Sequence, residues 1–479
     1  MGFLARVSAD KVRRHSTLRK GKRVRFIARS LVALSATLAC VAALAAEAPQ
    51  PAFDDPALRT RVTQLANGLS VLTLEDHATP VVSLQVWVKV GSGDESRFTG
   101  IAHLFEHMMF LGSKNLSKLG PEAYTKLVEE RGGQINAYTS RDVTVYFENV
   151  APEHLPLMIA LEGERFANLE VTEEALKAER QVVIEERRLR SENDPEGIAF
   201  ESAMALAYQA HPYRVPTVGW MSDLEKVTAA DCQAFFDSYY AANNLVIAIA
   251  GNFDTTEALA LVEKHFGALR SAPVIPRNPQ EEPTQNGERR ATLHFPVQAP
   301  IQLSAYQAPG TLSPDTDALD IAAGILAGGR TARLQRALVD EARLALEPSA
   351  FFWELQRAGV FMAGATLVPG ADVAAAEKIV HDEIAKLAAA PPSEAELRRA
   401  RRALEVQWIR GQGSAHALAS RIAQDYVALG RVEPLAEKLA ALRAVTPADV
   451  QRVVGQYLAP QRRNVVRVFP LAAGEEGRP

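Results

Sequence analysis

His103, Glu106 and His107 lie within five residues in the order HxxEH. On a helix, four residues turn the chain through about 400°, so both imidazoles leave the same face one turn apart. A single divalent ion can then accept both ring nitrogens at about 2.0–2.1 Å. Glu106 projects beside them, within reach of a water on such an ion without being forced to bind it. The order inverts the HExxH of many zinc hydrolases. Met108, Met109 and Phe110 continue an apolar helix, so the same residues would also suit a buried helix face that holds no metal.

A hydrolytic zinc needs a third protein ligand and an open position. The segment 172–193, TEEALKAERQVVIEERRLRSEN, reads as a helix with five carboxylates before Arg187. At about 100° per residue, Glu179 and Glu186 fall on the face that carries Ala175, Leu176, Val182, Val183 and Leu189. Glu185 falls on the wet side with Arg187 and Arg188. Two acids within an apolar stripe are costly unless something pairs with them. A cation near one of them, or a buried arginine, meets that cost. Glu179 and Glu186 are thus both candidates for the third ligand, and helical geometry leaves the choice open.

The elements that must position these groups follow from periodicity. Residues 81–90 alternate Val82, Leu84, Val86, Val88 and Val90 with Ser83, Gln85, Trp87 and Lys89, as a half-buried strand does. Residues 132–150 read as two strands around TSRD. Helical patterns cover roughly 99–113, 120–131, 153–166, 172–190, 197–209 and 228–240. The second half repeats the plan, with strands near 291–307 and 350–367. Leu224, Val227, Thr228, Asp231 and Tyr239 recur as Leu442, Val445, Thr446, Asp449 and Tyr457 at one offset, 218. In both places Thr-x-x-Asp marks a helix start. The Pro-rich, polar segment 271–290 reads as a linker. The expected fold class is α+β: two homologous domains, at 50–270 and 291–475, each a mainly antiparallel sheet with helices packed on one face.

The chain has 479 residues, 47% hydrophobic and 23% charged, which is globular composition with room for two large cores. Residues 1–29 carry ten Lys/Arg and one acid, and an apolar run of about 16 residues follows. With Ala43-Leu44-Ala45 as a cleavage site, residues 1–45 read as a signal peptide. An exported, periplasmic location follows, with membrane attachment only if the leader stays uncleaved. Without it, the formal charge of −4 becomes about −13. So acidic a body argues against nucleic acid as a partner. Cys40 leaves with the leader and Cys232 remains alone, so no intrachain disulfide is expected.

LANGLSVLTLED (65–76), VGSGDESRFTGIAHLFEHMMFLGSKN (90–115), GGQINAYTSRDVTVYFENV (132–150), ERQVVIEERR (179–188) and HPYRVPTVGW (211–220) lie in the first half, and the two-half architecture extends the pattern over almost the whole mature chain. Together they resemble the inverzincin metallopeptidases of the pitrilysin, insulin-degrading and mitochondrial-processing-peptidase group, in the two-domain branch whose subunits pair. The resemblance implies one Zn²⁺ per chain on His103, His107 and Glu186, with Glu106 as general base and Glu179 as the acid supporting the site. It also implies an endopeptidase acting on peptides or unfolded segments, with substrate laid as an added strand along Asn136, Ala137 and Tyr138. His211-Pro212-Tyr213 reads as a structural turn.

The chain departs from that family at one place. Where active members carry an Arg and a Tyr seven residues apart to hold substrate, LVDEARLAL (338–346) has Val339 and Leu346. The expectation is therefore a dimer, with a related subunit supplying the Arg/Tyr pair; a homodimer using another group, such as Arg343, is the other arrangement. A non-catalytic assembly or chaperone-like subunit on the same fold is the rival function.

Overall fold

A computed structural model describes residues 55–119 and 122–471. The signal peptide expected over 1–45 lies outside the described residues.

The first half builds a six-stranded sheet from β1 (Arg61–Gln64), β2 (Ser70–Glu75), β3 (Val82–Val88), β4 (Gln134–Thr139), β5 (Thr144–Val150) and β6 (Leu245–Gly251), in the order β1-β2-β6-β3-β5-β4. The second builds a five-stranded sheet from β7 (Arg289–Phe295), β8 (Ile301–Pro309), β9 (Ala345–Trp353), β10 (Ala358–Leu367) and β11 (Arg463–Pro470), in the order β7-β11-β8-β10-β9. Each sheet holds one parallel pair, β2 with β6 and β7 with β11; the other pairings are antiparallel. Leaving out β1, the two orders match strand for strand.

The helices of eight residues or more in the first half are α1 (Ile101–Met108), α2 (Leu155–Asn168), α3 (Glu173–Arg187), α4 (Pro195–Ala207), α5 (Ala229–Tyr239) and α6 (Thr255–Phe266). Those in the second are α7 (Thr316–Ala327), α8 (Val373–Ala389), α9 (Glu394–Arg410), α10 (Ala415–Leu429), α11 (Leu435–Ala444) and α12 (Pro447–Tyr457). The offset of 218 carries α5 onto α12 and the start of β6 onto that of β11. Both helices open with the same reciprocal cap, Thr228 with Asp231 and Thr446 with Asp449. The fold is α+β in two like halves.

Each half packs most of its own helices on one face of its sheet, where the two main apolar cores form. The opposite faces are closed by an exchange. α4 crosses to the second sheet, setting Ala203, Met204 and Ala207 against Ala305, Val466 and Val468. α10 crosses to the first, setting Leu418, Ala419, Ile422 and Ala423 against Leu72, Leu74, Val246 and Ala248.

This exchange corrects one expectation. β3 is buried along its whole length, not on one side. Gln85 faces α10 instead of water: its amide nitrogen donates to Ser420 Oγ (3.0 Å) and to the His416 carbonyl (3.1 Å). Its oxygen accepts from Trp87 Nε1 at 2.9 Å. The alternating polar residues of β3 satisfy a helix from the other half, so the alternation holds although neither face is wet.

Candidate active site

α1 is fixed at its start by two glycines pressed together. Gly100 (φ +84°) and Gly219 (φ +88°) both take left-handed backbone. A Cβ on Gly100 would strike the Val218 carbonyl, and one on Gly219 would strike Thr99 and Gly100. Only glycine allows both the conformation and the approach. The first-turn N–H groups of Gly100 and Ala102 each donate at 2.9 Å to the Glu95 carboxylate, which closes the open end of the helix. Burial pushes the Glu95 carboxyl up to about 8, against the pull of those two donors. Ala102, Leu104, Phe105 and Met108 are buried, with the Phe105 ring 4.8 Å from that of Tyr240. With that face packed inward, His103, Glu106 and His107 turn towards α3 and β4. The helix is shorter than the expected 99–113, because the chain leaves it at Met108 and turns through Gly112 (φ +124°).

α3 starts on the Thr172 cap and buries Leu176, Val183, Ile184 and Arg187. Here the expected buried stripe is only partly right. Val182 and Leu189 are 51% and 70% exposed, and Arg187, expected on the wet side, is buried. The helix docks on a face rotated from the centre of its apolar stripe. Arg187 donates to Glu201 of α4 from two nitrogens at 3.2 Å and lies 4.9 Å over the Trp220 ring. Glu179 and Glu186 consequently sit on the flank that faces α1, half-buried.

Glu186 Oε2 lies 3.5 Å from His103 Nε2 and 3.4 Å from His107 Nε2. One ligand atom from each of the three residues falls within 4.8 Å of the others, the one such group among the described residues. Glu186 Oε1 is held by Arg190 Nη2 at 2.9 Å. His107 Nδ1 lies 3.2 Å from Glu179 Oε2, which leaves Nε2 of that ring for the cluster. Glu106 is buried and accepts from Thr139 Oγ1 at 2.6 Å.

Charge within the cluster is arranged by burial and by these partners. Burial pulls His103 down to about 4, with Glu186 opposing. Burial also pulls on His107, but hydrogen bonds to Glu179 and Glu186 outweigh it and raise the ring to about 9. Burial raises the Glu106 carboxyl while the Thr139 hydroxyl restrains it. The hydrogen bond from His107 lowers Glu186, against burial. The two carboxylates on either side of His107 favour positive charge at the place where a cation would sit. Two imidazoles and a carboxylate converge there, and His103 Nδ1, across the ring from the nitrogen that faces Glu186, is a buried nitrogen with no hydrogen-bond partner among the described residues. The donor set suits a tetrahedral zinc with one position left open.

Asn136, Ala137 and Tyr138 lie on β4, which is an edge strand. The Ala137 N–H donates to Asn136 Oδ1 at 2.8 Å. The Tyr138 ring turns away from the histidines and meets Trp87 edge-on at 6.3 Å. It opens on a cavity of about 620 Å³, lined also by Trp353, Trp408 and Asp320 and by none of the cluster residues. His211–Tyr213 forms part of a single tight turn. Val339 is packed partly against the second core, and Leu346 is 59% exposed on β9. Two neighbours of the cluster escape the sequence reading, Thr139 and Arg190. Thr139 had a signal: it shares strand parity with Ile135 and Ala137, which face α1. Arg190 follows Glu186 by four residues, the spacing of a helical ion pair.

A two-half α+β chain with this cluster is built as a metallopeptidase of the inverzincin kind. It belongs to the insulinase family, peptidase family M16, whose model matches residues 70–219, while the model described as the peptidase M16 inactive domain matches 226–404. It is 31% identical to the zinc protease PqqE of Helicobacter pylori over 85% of this chain and 92% of that protein. Over 44% of this chain it is 31% identical to the mitochondrial-processing peptidase subunit beta of Blastocladiella emersonii, covering 45% of that subunit. Among solved structures it is similar to a protease from Helicobacter pylori, with TM-score 0.81 and 30% identity over 86% of this chain and 99% of that one.

Proposed function

We propose that the protein is a zinc-dependent endopeptidase of peptides or unfolded segments, with one ion per chain held by His103, His107 and Glu186. The observation that carries this is the approach of both Nε2 atoms to one oxygen of Glu186, at 3.5 and 3.4 Å. Zinc bound there supplies a water of lowered pKa and polarises the scissile carbonyl. Glu106 takes the proton of the attacking water and returns it to the leaving amine as the C–N bond breaks. Glu179 fixes the His107 ring from behind, through Nδ1. Peptide adds as a strand along β4, where Asn136, Ala137 and Tyr138 line the free edge.

Val339 and Leu346 cannot donate a side-chain hydrogen bond to substrate, so a paired subunit is proposed to complete the site with an Arg and a Tyr. The same two residues favour the rival, a non-catalytic subunit on this fold. Zinc content and peptide hydrolysis of the wild type and Glu106→Gln separate the two. The peptidase binds zinc in both forms and loses turnover in the variant; equal turnover removes Glu106 from the chemistry. Assays with and without a related subunit test the pairing, which full activity of the lone chain would refute. From the leader-like residues 1–45 we place the protein outside the cytoplasm, in the periplasm.

A further inference from the structure

The two oxygens of Glu106 are not equivalent. Oε2 accepts from Thr139 Oγ1 at 2.6 Å, the one hydrogen bond this carboxylate makes among the described residues, and Oε1 takes no part in it. The Thr139 hydroxyl has one other neighbour of its kind, Thr144 Oγ1 at 3.4 Å. Thr144 donates its own proton to the Val90 carbonyl at 3.0 Å. The Thr139 proton therefore has two possible acceptors, and the shorter, charge-assisted one prevails. An oxygen that already accepts such a bond is the weaker base, which leaves Oε1 to receive an incoming proton.

Thr139 also belongs to the free edge. The Ala137 N–H is met by a side chain of its own strand, so it points away from β5. By antiparallel alternation Thr139 presents its backbone outward too, while its side chain faces α1. A peptide that pairs with β4 would grip the backbone of the residue whose hydroxyl holds Glu106.

We infer that Thr139 is a positioning residue that makes Oε1 of Glu106 the proton-carrying oxygen and ties that choice to peptide docking on β4. This rests on the peptidase proposed above. In the reaction the water oxygen bonds to the carbonyl carbon and its proton passes to Oε1. The C–N bond then breaks and that proton passes from Oε1 to the amine nitrogen. The Thr139 proton stays on Oγ1 throughout.

Thr139→Val keeps the shape and removes the hydroxyl; Thr139→Ser keeps the hydroxyl and removes the methyl. In zinc-free protein, the infrared carboxylate stretch of Glu106, assigned by difference from Glu106→Gln, is expected to shift in the Val variant and return in the Ser variant. With zinc, kcat is expected to fall about tenfold or more in Thr139→Val, at KM and zinc content within about twofold of wild type, and to recover within about threefold in Thr139→Ser. Unchanged kcat in the Val variant overturns the inference. So does a Ser variant as impaired as Val, which would make the methyl the important part, or a loss of zinc in Val. If the zinc-loaded wild type cleaves nothing, the peptidase proposal fails instead, and the infrared comparison still decides the hydrogen bond.

Discussion

Glu179 stands behind His107: its Oε2 is 3.2 Å from Nδ1, while Nε2 of the same ring faces Glu186 Oε2 at 3.4 Å. The two acids are seven residues apart on α3, so one helix face supplies both a candidate ligand and its support, about 10 Å apart along the axis. Groups that hold a ligating imidazole from behind typically govern metal affinity by about 10–100-fold. Glu179→Gln is expected to weaken zinc binding by that factor in a chelator competition, with a smaller change in kcat at saturating zinc. Undiminished affinity would mean that Glu179 does not orient the ring.

Removing the metal should abolish hydrolysis and leave the fold standing. The four apolar cores close both sheets by side-chain packing alone, α1 included through Ala102, Leu104, Phe105 and Met108. Chelation is expected to leave far-ultraviolet circular dichroism unchanged and to lower Tm through the lost binding free energy alone. Added zinc should restore activity, but not in His103→Ala. Global unfolding on chelation would contradict the independence of fold and metal.

Leu418→Ala tests the exchange of helices. Leu418 is 4% exposed, on α10, against the first sheet. Its truncation is expected to cost about 2–5 kcal/mol in denaturant unfolding. Hydrogen exchange should quicken in β3 and β6, far along the chain from the substitution. A loss confined to the second half would show that α10 does not support the first sheet.

Asp320 gives a pH dependence with a definite sign. Burial, then Glu354 and Asp317 nearby, raise its carboxyl from 3.8 to about 7, with Lys438 opposing. The folded chain thus holds this proton more tightly than the unfolded one. The stability it confers is complete below about pH 4 and is lost as pH rises through about 7. Asp320→Asn stays neutral, so its Tm should exceed that of the wild type by about 2–4 °C at pH 8 and converge with it near pH 4. Equal Tm at pH 8 would mean that Asp320 bears its charge without penalty.

Much of the site is legible because its parts are local. HxxEH on one helix needs only the helical period, and the hairpin of β4 and β5 needs only alternation and a turn. The repeat at offset 218 also survives, since caps are written in sequence as Thr-x-x-Asp. What escapes depends on packing between distant segments. Gln85 and Trp87 look like wet positions until α10, more than three hundred residues later, covers them. The angular order of α3 identifies Glu179 and Glu186 as neighbours but not how deep the helix sits, so Val182 and Leu189 come out exposed and Arg187 buried. Thr139 carries no chemical signature in a strand; its meaning comes from the carboxylate that α1 brings to it.

The crossing of α4 and α10 makes the halves poor candidates for separate life. Cut within 271–288, where the chain has no helix or strand, the two pieces would still grip each other through the helix each has lent. Made apart, each would carry a bare apolar sheet face that only its counterpart fits. The chain should therefore behave as a fragment-complementation pair, in which the N-terminal piece regains its histidine–glutamate cluster only when the C-terminal piece is supplied.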